Sequence, residues 1–215
     1  MDESVGAGRL GLAWWLRWVI ATTVGTIVAF AAFLAIFTVI GEPGDVLFPV
    51  LMVGIGGIVG AFQQRVLRQV LSHAERWALM TGVGLGAAMA LGVALGERSG
   101  LAGTTMMGVI DGAAGGAIIG TLQLRVLRPW VARARWWVPA SIAGWALAGG
   151  AANAVGYLVD GLDIVVLFVV AAGATGVALD AILRAGPPVG SPARPSAPRR
   201  AERTVGTAEG PSTGA

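Results

Sequence analysis

A nine-residue stretch recurs in this chain at a distance of 60 residues: Gly60-Ala61-Phe62-Gln63-Gln64-Arg65-Val66-Leu67-Arg68 is matched by Gly120-Thr121-Leu122-Gln123-Leu124-Arg125-Val126-Leu127-Arg128. A degenerate third copy runs from Gly176 to Arg184, with Leu179 where glutamine stands in the other two. A sequence that repeats its own local pattern calls for a repeat architecture, each copy packing against its neighbours. The pattern reaches beyond the motif. Trp77 and Trp137 each follow its last Arg by nine residues and precede Gly84 and Gly144 by seven, a spacing shared by Trp18 and Gly25. The unit read from this is a hairpin, with one helix starting at a Trp and the next ending in Leu-Arg.

Where such hairpins lie follows from hydropathy. Apolar residues make up 55% of the chain and charged ones 13%, and the mean hydropathy is +0.75, far from a soluble domain. Crossing the hydrocarbon core takes about 20 apolar residues. Six stretches qualify: Val19 to Ile40, Leu47 to Gln64, Trp77 to Gly96, Gly103 to Leu124, Trp136 to Val159 and Ile164 to Leu183. The first is too long for the apolar core of a cleaved signal peptide and is expected to remain as a helix. Cysteine is absent and every cationic side chain is Arg, which excludes thiol chemistry and suits a GC-rich bacterial genome.

Cationic loops resist translocation, so the arginines set the expected orientation. Arg9 and Arg17 precede the first span; Arg65, Arg68 and Arg76 follow the second; Arg125, Arg128, Arg133 and Arg135 follow the fourth; Arg184, Arg194, Arg199, Arg200 and Arg203 follow the sixth. The alternate turns hold only Arg98, against Glu42, Asp45, Glu97, Asp160 and Asp163. Both termini are therefore expected in the cytoplasm, with the protein in the cell membrane. Trp14, Trp15, Trp18, Trp77, Trp130, Trp136 and Trp137 fall at the same boundary, where indoles act as interfacial anchors. Trp77 and Trp137, with Arg65, Arg68, Arg125 and Arg128, are accordingly expected to touch lipid headgroups at the inner face.

The expected fold is an all-α membrane protein of six transmembrane helices. They form three parallel two-helix repeats about a pseudo-threefold axis, over about residues 14–68, 77–128 and 136–184, unlike inverted-repeat transporters. Residues 1–18 form a cytoplasmic and interfacial start, 19–184 the membrane domain and 185–215 a disordered tail of Gly, Pro, Ser, Ala and Arg. Small residues must let helix backbones approach where lipid supplies no hydrophobic contrast. Gly56 with Gly60, Gly116 with Gly120 and Ala172 with Gly176 are spaced for this, as are Gly92 with Gly96 and Ala152 with Gly156.

The pattern Gly-x-x-Gln-x-x-x-Leu-Arg, present in full at Gly60, Gln63, Leu67 and Arg68 and again at Gly120, Gln123, Leu127 and Arg128, is followed by an interfacial Trp and a Gly/Ala-rich helix. In this it resembles uncharacterised bacterial multi-pass membrane proteins built of the same repeated hairpin. The resemblance spans Trp18 to Arg184; it implies a fold and no activity.

Two kinds of polar residue interrupt the apolar spans. Gln63 and Gln123 are expected to bond across helices at the repeat interfaces, the alternative being that they line a polar vestibule. Asp111 lies fourteen residues before Arg125, roughly 21 Å along a helix, inside the half of the bilayer far from the arginines. An intramembrane carboxylate is a proton carrier or cation ligand by default; the alternative is a hydrogen-bonded Asp facing Asn153, Thr104 or Thr105. Asp180 precedes Arg184 by four, and an ion pair within the helix accounts for it.

Catalytic templates fail on these residues. Asp111-Gly112 opens like the signature of membrane phosphatidyltransferases, but the Ala-Arg that should follow is absent and no further aspartates keep the spacing. A rhomboid-like protease needs a membrane-embedded His, and the sole histidine, His73, lies in a basic loop on an expected solvated face. One His and no Cys leave no ordinary transition-metal site, and no cofactor is expected. Gly82, Gly84 and Gly86 alternate inside a span and not after a strand, so they do not read as a nucleotide cradle. The segment Arg65 to Arg76 is amphipathic and is expected to lie flat at the inner interface, as is Arg128 to Arg135 after Pro129, both attracting anionic lipids.

No enzyme is expected. The expected role is a scaffold, regulatory or complex-assembly protein with an unknown protein partner; the alternative is a small-solute, cation or proton carrier or channel that uses Asp111. Its surroundings are the lipid bilayer, and no nucleic-acid partner is expected.

Overall fold

The computed structural model describes residues 10–44, 46–99, 104–156 and 162–184, and among them the chain is all-helical. Six long helices follow in order: α1 (Leu12–Ile40), α2 (Leu47–Leu67), α3 (Trp77–Ser99), α4 (Thr105–Leu127), α5 (Trp137–Gly156, entered through a 3-10 turn at Ala134–Trp136) and α6 (Leu162–Leu183). Their ends follow local chemistry. Gly11 at φ 132° and Gly41 at φ 76° bracket α1 in backbone conformations that suit glycine, and Gly41 N–H closes on Phe37 O at 2.9 Å. Thr104 caps α4 by accepting from Met107 N–H at 3.1 Å.

All of these helices but α5 are long and apolar enough to cross a membrane. α5 is long enough, but Pro139, Ser141 and Asn153 dilute its apolar content. Their outward faces carry bare Ile20, Ile27, Leu34, Leu79, Leu147 and Val177, a surface that water would not tolerate and that lipid solvates.

Each helix packs on its neighbours in the chain, and α1 also packs on α6, so the order of contacts closes on itself. The starts of α1, α3 and α5 converge with the ends of α2, α4 and α6 in one buried cluster that includes Trp14, Trp18, Trp77, Trp137, Leu67, Leu127 and Leu179. This is the arginine end of the bundle. Odd helices therefore run away from it and even helices return.

Two expectations change here. Trp77 and Trp137 are 0% and 2% exposed and touch one another, ring centroids 5.8 Å apart; they are core residues, not lipid anchors. The reason is convergence: where hairpins meet at the start of α3 and α5, an indole lies nearer the next hairpin than the bilayer. Trp14 and Trp18 are buried with them, while Trp130 and Trp136 keep the exposed position. The segments after α2 and α4 are turns, not flat amphipathic helices. Leu71, Ala74, Val131 and Ala134 fold back into the tryptophan cluster, because those apolar side chains find an opening under the bundle. The tail at 185–215, and Asp45 and Asp160 of the acidic turns, lie outside the described residues.

Candidate functional site

Three layers stack along the inside of the bundle. At the arginine end the tryptophan and leucine cluster fills the interior. Above it, Gln63 on α2 donates to Thr22 Oγ1 on α1 at 3.2 Å, and its Oε1 accepts from Trp77 Nε1 on α3 at 3.0 Å. Gln123 on α4 repeats the arrangement, donating to Thr81 Oγ1 at 2.9 Å and accepting from Trp137 Nε1 at 3.1 Å. One amide thus ties together the two helices of its own hairpin and the first helix of the next, and leaves little polar surface unpaired.

The third copy has no such amide. Leu179 is fully buried at the corresponding position, and Ser141 Oγ and Trp18 Nε1 are both buried without a partner. These are the two groups that a glutamine there would join. The contact of α1 with α6 is made instead by Trp15 Nε1 donating to Gly173 O at 3.0 Å and Gly11 N–H donating to Asp180 Oδ1 at 3.0 Å. Asp180 also pairs with Arg184 at 2.6 Å, as its spacing implied. A cavity of about 30 Å³, bordered by Gln63, Gln123, Thr22, Thr81 and Thr175, sits at this level, with room for a single water.

The third layer is a chamber of about 520 Å³ in the half of the bundle far from the arginines. Asp111 and Gly108 from α4, Trp145 and Asn153 from α5, Asp163 from α6 and Phe48 from α2 are among its walls. Asp111 and Asn153 are brought together there, but not bonded: Asn153 Nδ2 donates to Gly149 O on its own helix at 3.1 Å. Asp111 Oδ1 is buried and has no hydrogen-bond partner. A carboxylate oxygen so placed seeks a donor, and the chamber is where one can arrive.

What holds the walls is close backbone approach. A Cβ on Gly108, Gly112, Gly116 or Gly120 would run into Gly149 O, Trp145 O, Ser141 O and the Ser141 side chain of α5 in turn. α4 therefore lies on α5 along four glycines spaced by four, of which Gly116 and Gly120 were expected. Gly56 and Gly60 press on Leu85, Thr81 and Ala78 of α3, and Gly176 on Trp15 and Trp18. Gly82 and Gly86 return the contact from α3 to α2, while Gly84 meets Ile119 of α4. Gly92, paired with Gly96 on spacing, has open space beside it and borders the chamber.

Arg65, Arg68, Arg125 and Arg128 are exposed at the arginine end. His73 is exposed but not simply solvated: its ring stacks on Trp130, centroids 3.9 Å apart, joining the two turns. Reading the chain alone expected the glutamines to bond between helices but missed their Trp and Thr partners. Their trace was present, since Trp18, Trp77 and Trp137 are each followed four residues on by Thr22, Thr81 and Ser141.

Compared with known proteins, the chain matches no family model, no curated protein and no solved structure.

Proposed function

We propose that the protein is a non-enzymatic, multi-pass carrier of the bacterial cell membrane that takes a small solute or cation into the chamber at Asp111. The observation that carries this reading is the chamber itself, open space beside an unpartnered carboxylate oxygen and closed toward the arginine end by the glutamine and tryptophan layers. With the arginine end and both termini in the cytoplasm, this is an outward-open arrangement in which all six helices cross, α5 being lined on both sides by spanning neighbours. The hairpins are taken as three parallel repeats about a pseudo-threefold axis. In favour are the identical bonding of Gln63 and Gln123 and the two orphaned groups at Leu179. The likeness to repeated-hairpin membrane proteins belongs to the same reading.

A scaffold or assembly role is the second reading. It is favoured by the arginine end, where the His73–Trp130 stack locks two exposed cationic turns into one surface suited to a partner protein or to anionic headgroups. Flux separates the two. Liposomes holding the purified protein are expected to pass a monovalent cation or protons down an imposed gradient, and Asp111→Asn to abolish the flux without altering the thermal unfolding profile by more than a few degrees. Flux equal to that of protein-free liposomes would leave the scaffold reading in its place.

A further inference from the structure

A second lobe adjoins the chamber. A cavity of about 240 Å³ lies between α1, α2, α3 and α6, with Phe30, Phe33 and Phe168 among its walls. It shares Phe48, Leu85, Met89, Ile164 and Leu167 with the lobe at Asp111, so the two spaces meet along a common wall. Their chemistry differs sharply. Among the described residues, the only polar side chain bordering the second lobe is Thr26, and its hydroxyl is already engaged with Thr22 O at 2.9 Å. The first lobe holds Asp111, Asp163 and Asn153, and among the described residues no arginine borders it.

We propose that the joined lobes bind a cationic amphiphile of the alkylammonium class, its charged head at Asp111 and its alkyl chain in the phenylalanine lobe. Each half of that ligand answers one feature of the site. An ammonium N–H supplies the donor that Asp111 Oδ1 lacks and a positive charge facing two carboxylates. Trp145, on the same wall and in T-shaped contact with Phe168 at 5.8 Å, is an aromatic ring of the kind that attracts a cation. A hydrocarbon chain leaves no polar group unmatched among Phe30, Phe33 and Phe168. A purely inorganic cation would leave that lobe unfilled, and a neutral lipid would leave the carboxylates uncompensated. Pockets of this size are the usual scale for ligands of drug-like dimensions.

This inference rests on the solute-binding reading and deepens it, so its test measures equilibrium binding and not flux. The protein in lipid nanodiscs is dialysed against n-butyl-, n-hexyl- and n-octylammonium, with empty nanodiscs subtracted. Affinity is expected to rise about fourfold for each added methylene that is buried. Asp111→Asn should weaken every member at least tenfold, and alcohols of the same length should bind no better than to empty discs. Met52→Trp, which narrows the phenylalanine lobe that Met52 borders, should flatten the dependence on chain length. Binding that depends on Asp111 but not on chain length would overturn the amphiphile and leave the small-cation carrier standing. Equal binding of ammonium and alcohol, or no loss with Asp111→Asn, would overturn the head-group assignment. Absence of any alkylammonium binding would overturn the proposal outright, while flux of an inorganic cation would still uphold the carrier.

Discussion

A single leucine decides how the bundle closes. Gln63 and Gln123 each satisfy a Trp Nε1 and a Thr hydroxyl, whereas Leu179 leaves Trp18 Nε1 and Ser141 Oγ buried and unpaired. Buried polar groups left unpaired are costly, and a hydrogen bond between membrane helices contributes roughly 0.6 kcal/mol, up to about 1.7. Leu179→Gln is therefore expected to stabilise the protein by about that amount in unfolding experiments in nanodiscs, with Ser141→Ala removing part of the gain. A loss of stability with Leu179→Gln would mean the space there is shaped for leucine alone. The converse change, Gln123→Leu, strands Trp137 Nε1 and should cost about 1 to 3 kcal/mol. The glutamines were visible in the sequence as a repeated polar residue; their partners were not, because fourteen residues separate Gln63 from Trp77 across a turn.

The helices are positioned by what their glycines permit. On α4, a methyl group at Gly112 would meet the carbonyl of Trp145, a backbone atom that no rotamer change can move. Gly112→Ala should therefore push α4 from α5 and destabilise by about 1 to 3 kcal/mol, distorting the wall that carries Asp111. Gly54, on α2, has open space around its missing Cβ, so Gly54→Ala should be neutral or slightly stabilising because alanine is the better helix former. Paired melting curves of these two variants check the contrast; equal effects would show that the distinction between close and open glycines carries no energetic meaning. Helix existence was plain from hydropathy, and each observed boundary lies within a few residues of expectation except the start of α1, which begins at Leu12 and not Val19. There the apolar count missed a turn and more of helix, because Arg17 interrupts the run while its side chain reaches out to Gln69 Oε1 at 3.3 Å.

At the scale of the whole molecule, the ring of contacts places the arginine-rich turns after α2 and α4 at one end and the chamber toward the other. The absence of cysteine makes the proposed orientation directly measurable. Ser72 in the turn after α2 and Glu42 after α1 are both exposed, so Ser72→Cys and Glu42→Cys supply one reporter for each end. A maleimide that cannot cross the membrane should label Glu42→Cys in intact cells and Ser72→Cys only after the cells are opened. Labelling of both from outside, or the reverse order, would invert or dissolve the outward-open reading of the chamber.

The amino-acid sequence determined by itself that this chain is helical, that most of its helices suit a bilayer, and, apart from the start of α1, roughly where each begins and ends. Those properties depend on residues adjacent in the chain, and a run of apolar residues carries them without reference to anything else. Only the tertiary structure decided that Trp77 and Trp137 face inward, that the turns after α2 and α4 fold under the bundle, and that Asp111 and Asn153 border one cavity and the phenylalanines an adjoining one. A helix apolar on every side keeps no record of which face will be inside. That choice is made where backbones cross, by the glycines that allow the closest approach and by the amides that find partners once they do.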